Sequence, residues 1–195
     1  MTTTTDETAE VTETAEAATG QDPLAVSGHT YPDTAKPVAE TYSYQLGRLR
    51  EAVTRWEAAE RAQSLAKSAC AMAAVLRGDP EAAEDTHTDT LAWTDLATFL
   101  DSLAMALRGA RVDSDDTFDA YDYPSYESWE HLAQAASRTE FAAAWYPLGQ
   151  DLRQRAGLDG TARPADEDDE DAPPLRAFAA AQVVKAAAAI INAPW

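Results

Sequence analysis

Two pairs of glutamates sit at a spacing that suits a divalent cation. Glu57-Ala58-Ala59-Glu60 and Glu81-Ala82-Ala83-Glu84 each place carboxylates three residues apart, and on a helix that spacing puts both on one face. Two such pairs on facing helices would supply the oxygen ligands that Mg²⁺ takes beside water and substrate phosphate. The same spacing has a plainer origin. Glu81 and Glu84 come soon after Gly78, where a new helix would begin and its dipole favours acids. Glu57→Arg61 and Glu51→Arg55 are i,i+4 ion pairs of the kind found on a solvated helix face.

The arrangement resembles the MazG-like, all-α nucleoside triphosphate pyrophosphatases, whose signature is E-x-x-E followed by E-x-x-D on the next helix. Glu57 and Glu60 would match the first motif, and Glu81 and Glu84 the second, with Glu84 standing where that signature has Asp. The resemblance implies a Mg²⁺-dependent nucleotide hydrolase with these four carboxylates as metal ligands.

Other chemistries fare worse. A carboxylate di-iron bundle needs two Glu-x-x-His motifs, and the residue three before His131 is Ser128. The Asp113–Pro124 stretch offers Phe118 and Pro124 where an EF-hand needs Gly and Glu. There is no Gly-rich phosphate loop and no Gly-x-Ser-x-Gly elbow. Cys70 has no cationic neighbour in sequence to activate it and reads as a small core residue. No cofactor is expected.

The Asp113–Pro124 stretch has a second reading. Phe118, Tyr121, Tyr123 and Tyr126 interleave with or flank Asp113, Asp115, Asp116, Asp119 and Asp122. Aromatic side chains are enriched at protein interfaces, and an acidic-aromatic segment suits a basic partner with an apolar rim. These four aromatics are the candidate partner-binding residues; the alternative is that they fold back over the bundle.

Charge narrows the class further. The 195 residues include 34 acids and 15 bases, a net charge of −19. Residues 1–37 carry −6, residues 110–124 carry −4 and residues 159–171 carry −6. Proline-bounded, charge-dense stretches of this kind are tails and linkers by composition. A DNA mimic would instead need carboxylates fixed on a rigid face. Arg48, Arg50, Arg55 and Arg61 alternate with Glu51, Glu57 and Glu60, so direct nucleic-acid binding is not expected. No apolar run reaches eighteen residues, which predicts no membrane span. The unpaired Cys70 and the absence of a signal-like start predict a cytoplasmic protein.

These residues must be positioned by helices. Tyr42, Leu46, Leu49, Val53 and Trp56 step at four and three, and Ala58, Ala62, Leu65, Ala69, Met72 and Leu76 continue after a phase shift. Unbroken, this predicts a long first helix over 38–76, about 58 Å at the standard rise, with a kink or a change of packing partner near Ala59. Asp79-Pro80 is a helix start, with a restart near Asp89, and Leu91–Leu107 is helical and closed by Gly109. Ser125 can cap a helix carrying Tyr126 and Trp129. Ser137-Arg138-Thr139-Glu140 has capping-box spacing and opens a helix that Pro147 should interrupt, and an Ala-rich helix runs from Pro174 to about Ile191. Trp56, Trp93, Trp129 and Trp145 read as core anchors, while Trp195 either packs back or faces a partner.

The expectation is an all-α bundle of about five helices over 38–195, with a disordered acidic tail at 1–37 and an acidic linker at 159–173. The expected function is non-enzymatic: an accessory, adaptor or inhibitor that binds a protein partner, with self-association left open. The alternatives are the Mg²⁺-dependent pyrophosphatase and an acidic DNA-mimic inhibitor.

Overall fold

Trp93 gathers three aromatic rings around itself at one end of the core. Tyr42 and Phe178 each lie 5.0 Å away between ring centroids, and Tyr31 lies at 6.4 Å. The computed structural model describes residues 31–78, 86–110, 126–158 and 177–195, without the side chains of 86–89, 126, 127, 155 and 177. A 3₁₀ turn at Asp33–Ala35 leads into α1 (Lys36–Leu49), followed by α2 (Arg55–Arg77), α3 (Thr86–Leu107), α4 (Tyr126–Gln134), α5 (Arg138–Arg155) and α6 (Ala177–Asn192). The described residues are thus all-helical apart from turns, with no strand among them.

The first helix is short. It stops at Leu49, and the chain turns through residues 50–54 before α2 begins. The cause is a capping box at Thr54-Arg55-Trp56-Glu57. Thr54 is extended (φ −137°, ψ 155°), its hydroxyl accepts the Glu57 N–H at 3.1 Å, and Glu57 Oε2 accepts the Val53 N–H at 2.9 Å. Satisfying two otherwise orphaned donors favours a fresh helix start here, so the phase shift expected near Ala59 is a complete break several residues earlier. Residues 31–37 also belong to the packed structure, since Ala35 is buried and Tyr31 packs on the core.

α2 and α3 make the most extensive helix pair, with α1, α4, α5 and α6 packed around them. The buried side chains of α2 are mostly small (Ala58, Ala62, Ala66, Ala69, Ala73) with Leu65, Met72 and Leu76 among them, and those of α3 include Leu96, Leu100 and Leu103. α3 starts at Thr86, ahead of the expected restart at Asp89; the Asp79-Pro80 start lies outside the described residues. Gly78 ends α2 in right-handed geometry (φ −81°). The left-handed stops are Gly109 (φ 70°) and Gly157 (φ 68°), each followed by a residue whose N–H returns five positions, Ala110 to Met105 and Leu158 to Arg153.

α5 begins as its sequence predicts, with the Ser137 hydroxyl accepting the Glu140 N–H at 3.2 Å. It is not interrupted by Pro147. Pro147, Tyr146 and Ala143 all face solvent, so the Ala143 carbonyl that the proline leaves without a donor is open to water. Phe141, Trp145, Leu148 and Leu152 on the other side keep the helix against the core. Trp93, Trp129 and Trp145 are core anchors as expected, and Trp195 packs back, its Nε1 donating to the Ile190 carbonyl at 2.9 Å. Two expectations fail: Trp56 is 60 % exposed, and Cys70 is exposed. Cys70 falls on an outer stripe of α2 shared by Glu60, Lys67 and Ala74.

Candidate functional site

Arginines at the starts of helices tie the ends of neighbouring helices together in this bundle. Arg55, the first residue of α2, donates from Nε to the Leu107 carbonyl at 2.7 Å. Its Nη2 reaches the carbonyls of Ala106 (2.9 Å), Ala133 (2.8 Å) and Leu132 (3.1 Å). One guanidinium therefore serves the last carbonyls of both α3 and α4, groups with no partner inside their own helices. The cation also faces the negative ends of two helix dipoles. Burial pulls the Arg55 pKa down from its ordinary value, and the four carbonyls compensate by holding the charged form.

Arg61 does the same for α1. It ion-pairs with Glu57 and donates from Nη1 to the Arg48 carbonyl at 2.5 Å. Arg138 opens α5 and donates to the Ala193 carbonyl at 2.7 Å, beyond the end of α6. The starts of α2 and α5 are built alike: a Ser or Thr cap, then an Arg that reaches a neighbouring helix end, then a Glu three residues after the cap. Glu140 Oε2 accepts the Ala136 N–H at 2.7 Å, as Glu57 does for Val53.

Beside the Arg55 network, Trp56 stands out of the surface. Its Nε1 donates to Glu60 Oε1 at 3.1 Å, and the Arg108 guanidinium lies 5.6 Å from its ring centroid. Arg108 in turn donates to Gln63 Oε1 at 2.8 Å. Held from two sides, the indole has a set orientation, and Val53, three residues earlier, is 63 % exposed. An oriented Trp with an Arg against its face has the composition of an interface hot spot.

The residues singled out from the sequence divide between this pole and the segments outside the described structure. Glu57 has both carboxylate oxygens engaged, one by the Val53 N–H and one by Arg61, and Glu60 holds the Trp56 indole. Both therefore have work within α2 and its start. Glu81 and Glu84 lie outside the described residues, as do Phe118, Tyr121 and Tyr123; Tyr126 is the first residue of α4. Among the described residues no group of three or more His, Cys, Asp or Glu side chains is placed to hold a metal ion. The Glu51–Arg55 pair does not form: Glu51 pairs with Arg48 at 3.4 Å, and Arg55 turns to the helix ends. Sequence reasoning missed Arg55, Arg138 and the exposed Trp56. The Thr54-x-x-Glu57 spacing was a legible signal for the first and third, because it moves Trp56 from the middle of a helix to its first turn.

Electrostatically, the described residues are balanced, with 12 acidic and 12 basic side chains. The whole net charge of −19 therefore belongs to the remaining residues, so the carboxylate array of a DNA mimic is not built on the described helices.

No protein-family model matches the chain, and neither a curated protein nor a solved structure does. The resemblance to the pyrophosphatase signature thus rests on its four glutamates alone. No helix among the described residues is long and apolar enough to cross a membrane.

Proposed function

We propose that this chain is a non-enzymatic helical bundle that works by binding another protein, as an accessory, adaptor or inhibitor, through the pole that carries Trp56. The observation that carries the reading is the Trp56 indole, 60 % exposed and fixed between Arg108 and Glu60. A large apolar side chain is normally drawn into a core; one kept outside in a set orientation has had its ordering entropy removed before any partner arrives. The acidic-aromatic stretch that follows α3 in sequence, with Phe118, Tyr121 and Tyr123, supplies further interface-type residues.

A tagged-chain pull-down from the native host, comparing the natural sequence with Trp56→Ala and with deletion of residues 113–123, tests this. A stoichiometric protein captured by the natural chain and lost with Trp56→Ala, while helicity is retained, is the expected result. Equal capture by both variants would remove this pole from the function. The same preparation incubated with Mg²⁺ and a nucleotide panel should show no turnover; hydrolysis abolished by Glu57→Gln would favour the metal-dependent reading instead.

A further inference from the structure

Tyr42 of α1 and Trp93 of α3 meet edge to face at 5.0 Å, and neither ring has any exposed surface. Among the described residues, neither the Tyr42 hydroxyl nor the Trp93 indole N–H has a hydrogen-bond partner. Each of these groups loses its water on closure and gains nothing polar in return. Two of them side by side make this contact one that water would relieve.

The helices that meet here are held unequally. α3 is buried along its length, from Ala92 and Trp93 through Leu96, Leu100 and Leu103 to Leu107. Between Lys36 and Leu46, α1 buries Ala39 and Tyr42 alone, with Val38 and Leu46 half-buried, and no side chain caps its first turn. The far end of α1 is fastened: Leu49 is fully buried, and Arg61 of α2 donates to the Arg48 carbonyl at 2.5 Å. α6 also stays down over the same indole. Phe178 lies 5.0 Å from Trp93, and Val183, Ala186, Ala187 and Ile190 are fully buried behind it.

We infer that the first half of α1, with the 3₁₀ turn before it, is a strap over Trp93 that opens as a unit while α2–α6 stay packed. Contacts of Tyr42, Ala39 and Ala35 hold it closed, and hydration of the Tyr42 hydroxyl and the Trp93 N–H favours opening. The buried end of α1 at Leu49 and Arg48 is the hinge. These opposed terms give a minor open state that is local, short of global unfolding. Opening uncovers the face of Trp93 that Tyr42 covers, so the chain carries an aromatic surface hidden in its closed form. This device uses neither Trp56 nor Arg108 and stands apart from the reading of that pole.

Hydrogen exchange of the full chain, resolved by residue and followed through sub-denaturing urea, tests it. The amides from Glu40 to Leu46 are expected to exchange together, about tenfold or more faster than the slowest amides of α2 and α3. Their rates should rise with urea, but less steeply than those of α2 and α3, because a strap exposes less surface than the whole bundle. Tyr42→Phe keeps the ring and removes the dehydrated hydroxyl, so it should slow the α1 amides by about two- to fivefold and leave the urea slope unchanged. Protection retained in α2 and α3 shows that the variant is folded. A urea slope equal to that of α2 and α3 would mean that α1 opens only with the whole bundle, and would overturn the inference. Rates graded along α1 with no response to urea would reduce the strap to a fraying helix end. Unchanged or faster exchange in Tyr42→Phe would show that the dehydrated hydroxyl does not drive the opening, and would overturn it as well.

Discussion

Arg55 Nε donates to the carbonyl of Leu107 at 2.7 Å across 52 positions of sequence, so the first residue of α2 closes the last turn of α3. The same guanidinium holds the final carbonyls of α4, which makes it the point where three helices are fixed to one another. The expected consequence of Arg55→Ala is a loss of about 3 kcal/mol in unfolding free energy, because partly buried carbonyls lose a charged donor. Arg55→Lys should recover little of it, since an ammonium lacks the planar fork that spans two helix ends. Urea unfolding of the three chains decides it; a loss below about 1 kcal/mol for Arg55→Ala would show that solvent replaces the donor.

Tyr42 is fully buried, and its hydroxyl has no hydrogen-bond partner among the described residues; the Trp93 Nε1 that packs beside it is in the same position. Tyr42→Phe removes the desolvated hydroxyl and keeps the ring, so stability should stay level or rise by up to about 1 kcal/mol. Denaturant midpoints at neutral pH measure this, and a loss above about 1 kcal/mol would reveal a hydrogen bond to the hydroxyl.

The same burial raises the Tyr42 pKa well above its ordinary value. A folded state that holds this proton more tightly than the unfolded chain is stabilised fully below the ordinary tyrosine pKa of about 10 and loses that contribution as pH rises toward the folded value. Melting temperature followed from pH 8 to 11 should therefore fall less steeply above about pH 10 in Tyr42→Phe than in the natural chain. Parallel curves would mean that Tyr42 does not govern the alkaline limb.

Gly149 lies one turn after Trp145 in α5, and a Cβ there would come within 2.8 Å of Trp145 Nε1 and 3.2 Å of Cε2. Alanine gains about 1 kcal/mol in helix propensity over glycine, but the indole is buried and packs edge-on to Phe99 at 6.2 Å. Displacing it costs more than the gain, and Gly149→Ala should be destabilising by about 1–2 kcal/mol overall. A stabilised variant in thermal unfolding would show that the ring yields freely.

Cys70 is on the exposed stripe of α2. The folded chain should therefore react with a full equivalent of a thiol-specific chromogenic reagent without denaturant, at a rate near that of a free thiol. A native chain that reacts only after unfolding would place Cys70 back in a covered position.

The sequence alone settled the helical class, because apolar steps of three and four residues are a local property and leave no alternative to amphipathic helices. It also located the α5 start, since a capping box is complete within four residues: Ser137 and Glu140 find each other without help from the rest of the chain. The Thr54–Glu57 box was equally legible, but the apolar steps running past it suggested one long helix. What only tertiary structure decided were relationships between distant segments. Arg55 has a tempting local partner in Glu51, yet it turns to carbonyls 51 to 78 positions away, because helix ends packed together need a donor more than an exposed carboxylate does. Pro147 is a local helix breaker, yet α5 runs through it because Trp145, Leu148 and Leu152 are held by the core. Trp56 fits a core position by type and by spacing; it stands in solvent because the break at Thr54 starts the helix one residue before it and fixes its rotation against α3. Whether a residue with the right periodicity is buried depends on where its helix begins and what packs on it, and those are set by the assembled bundle.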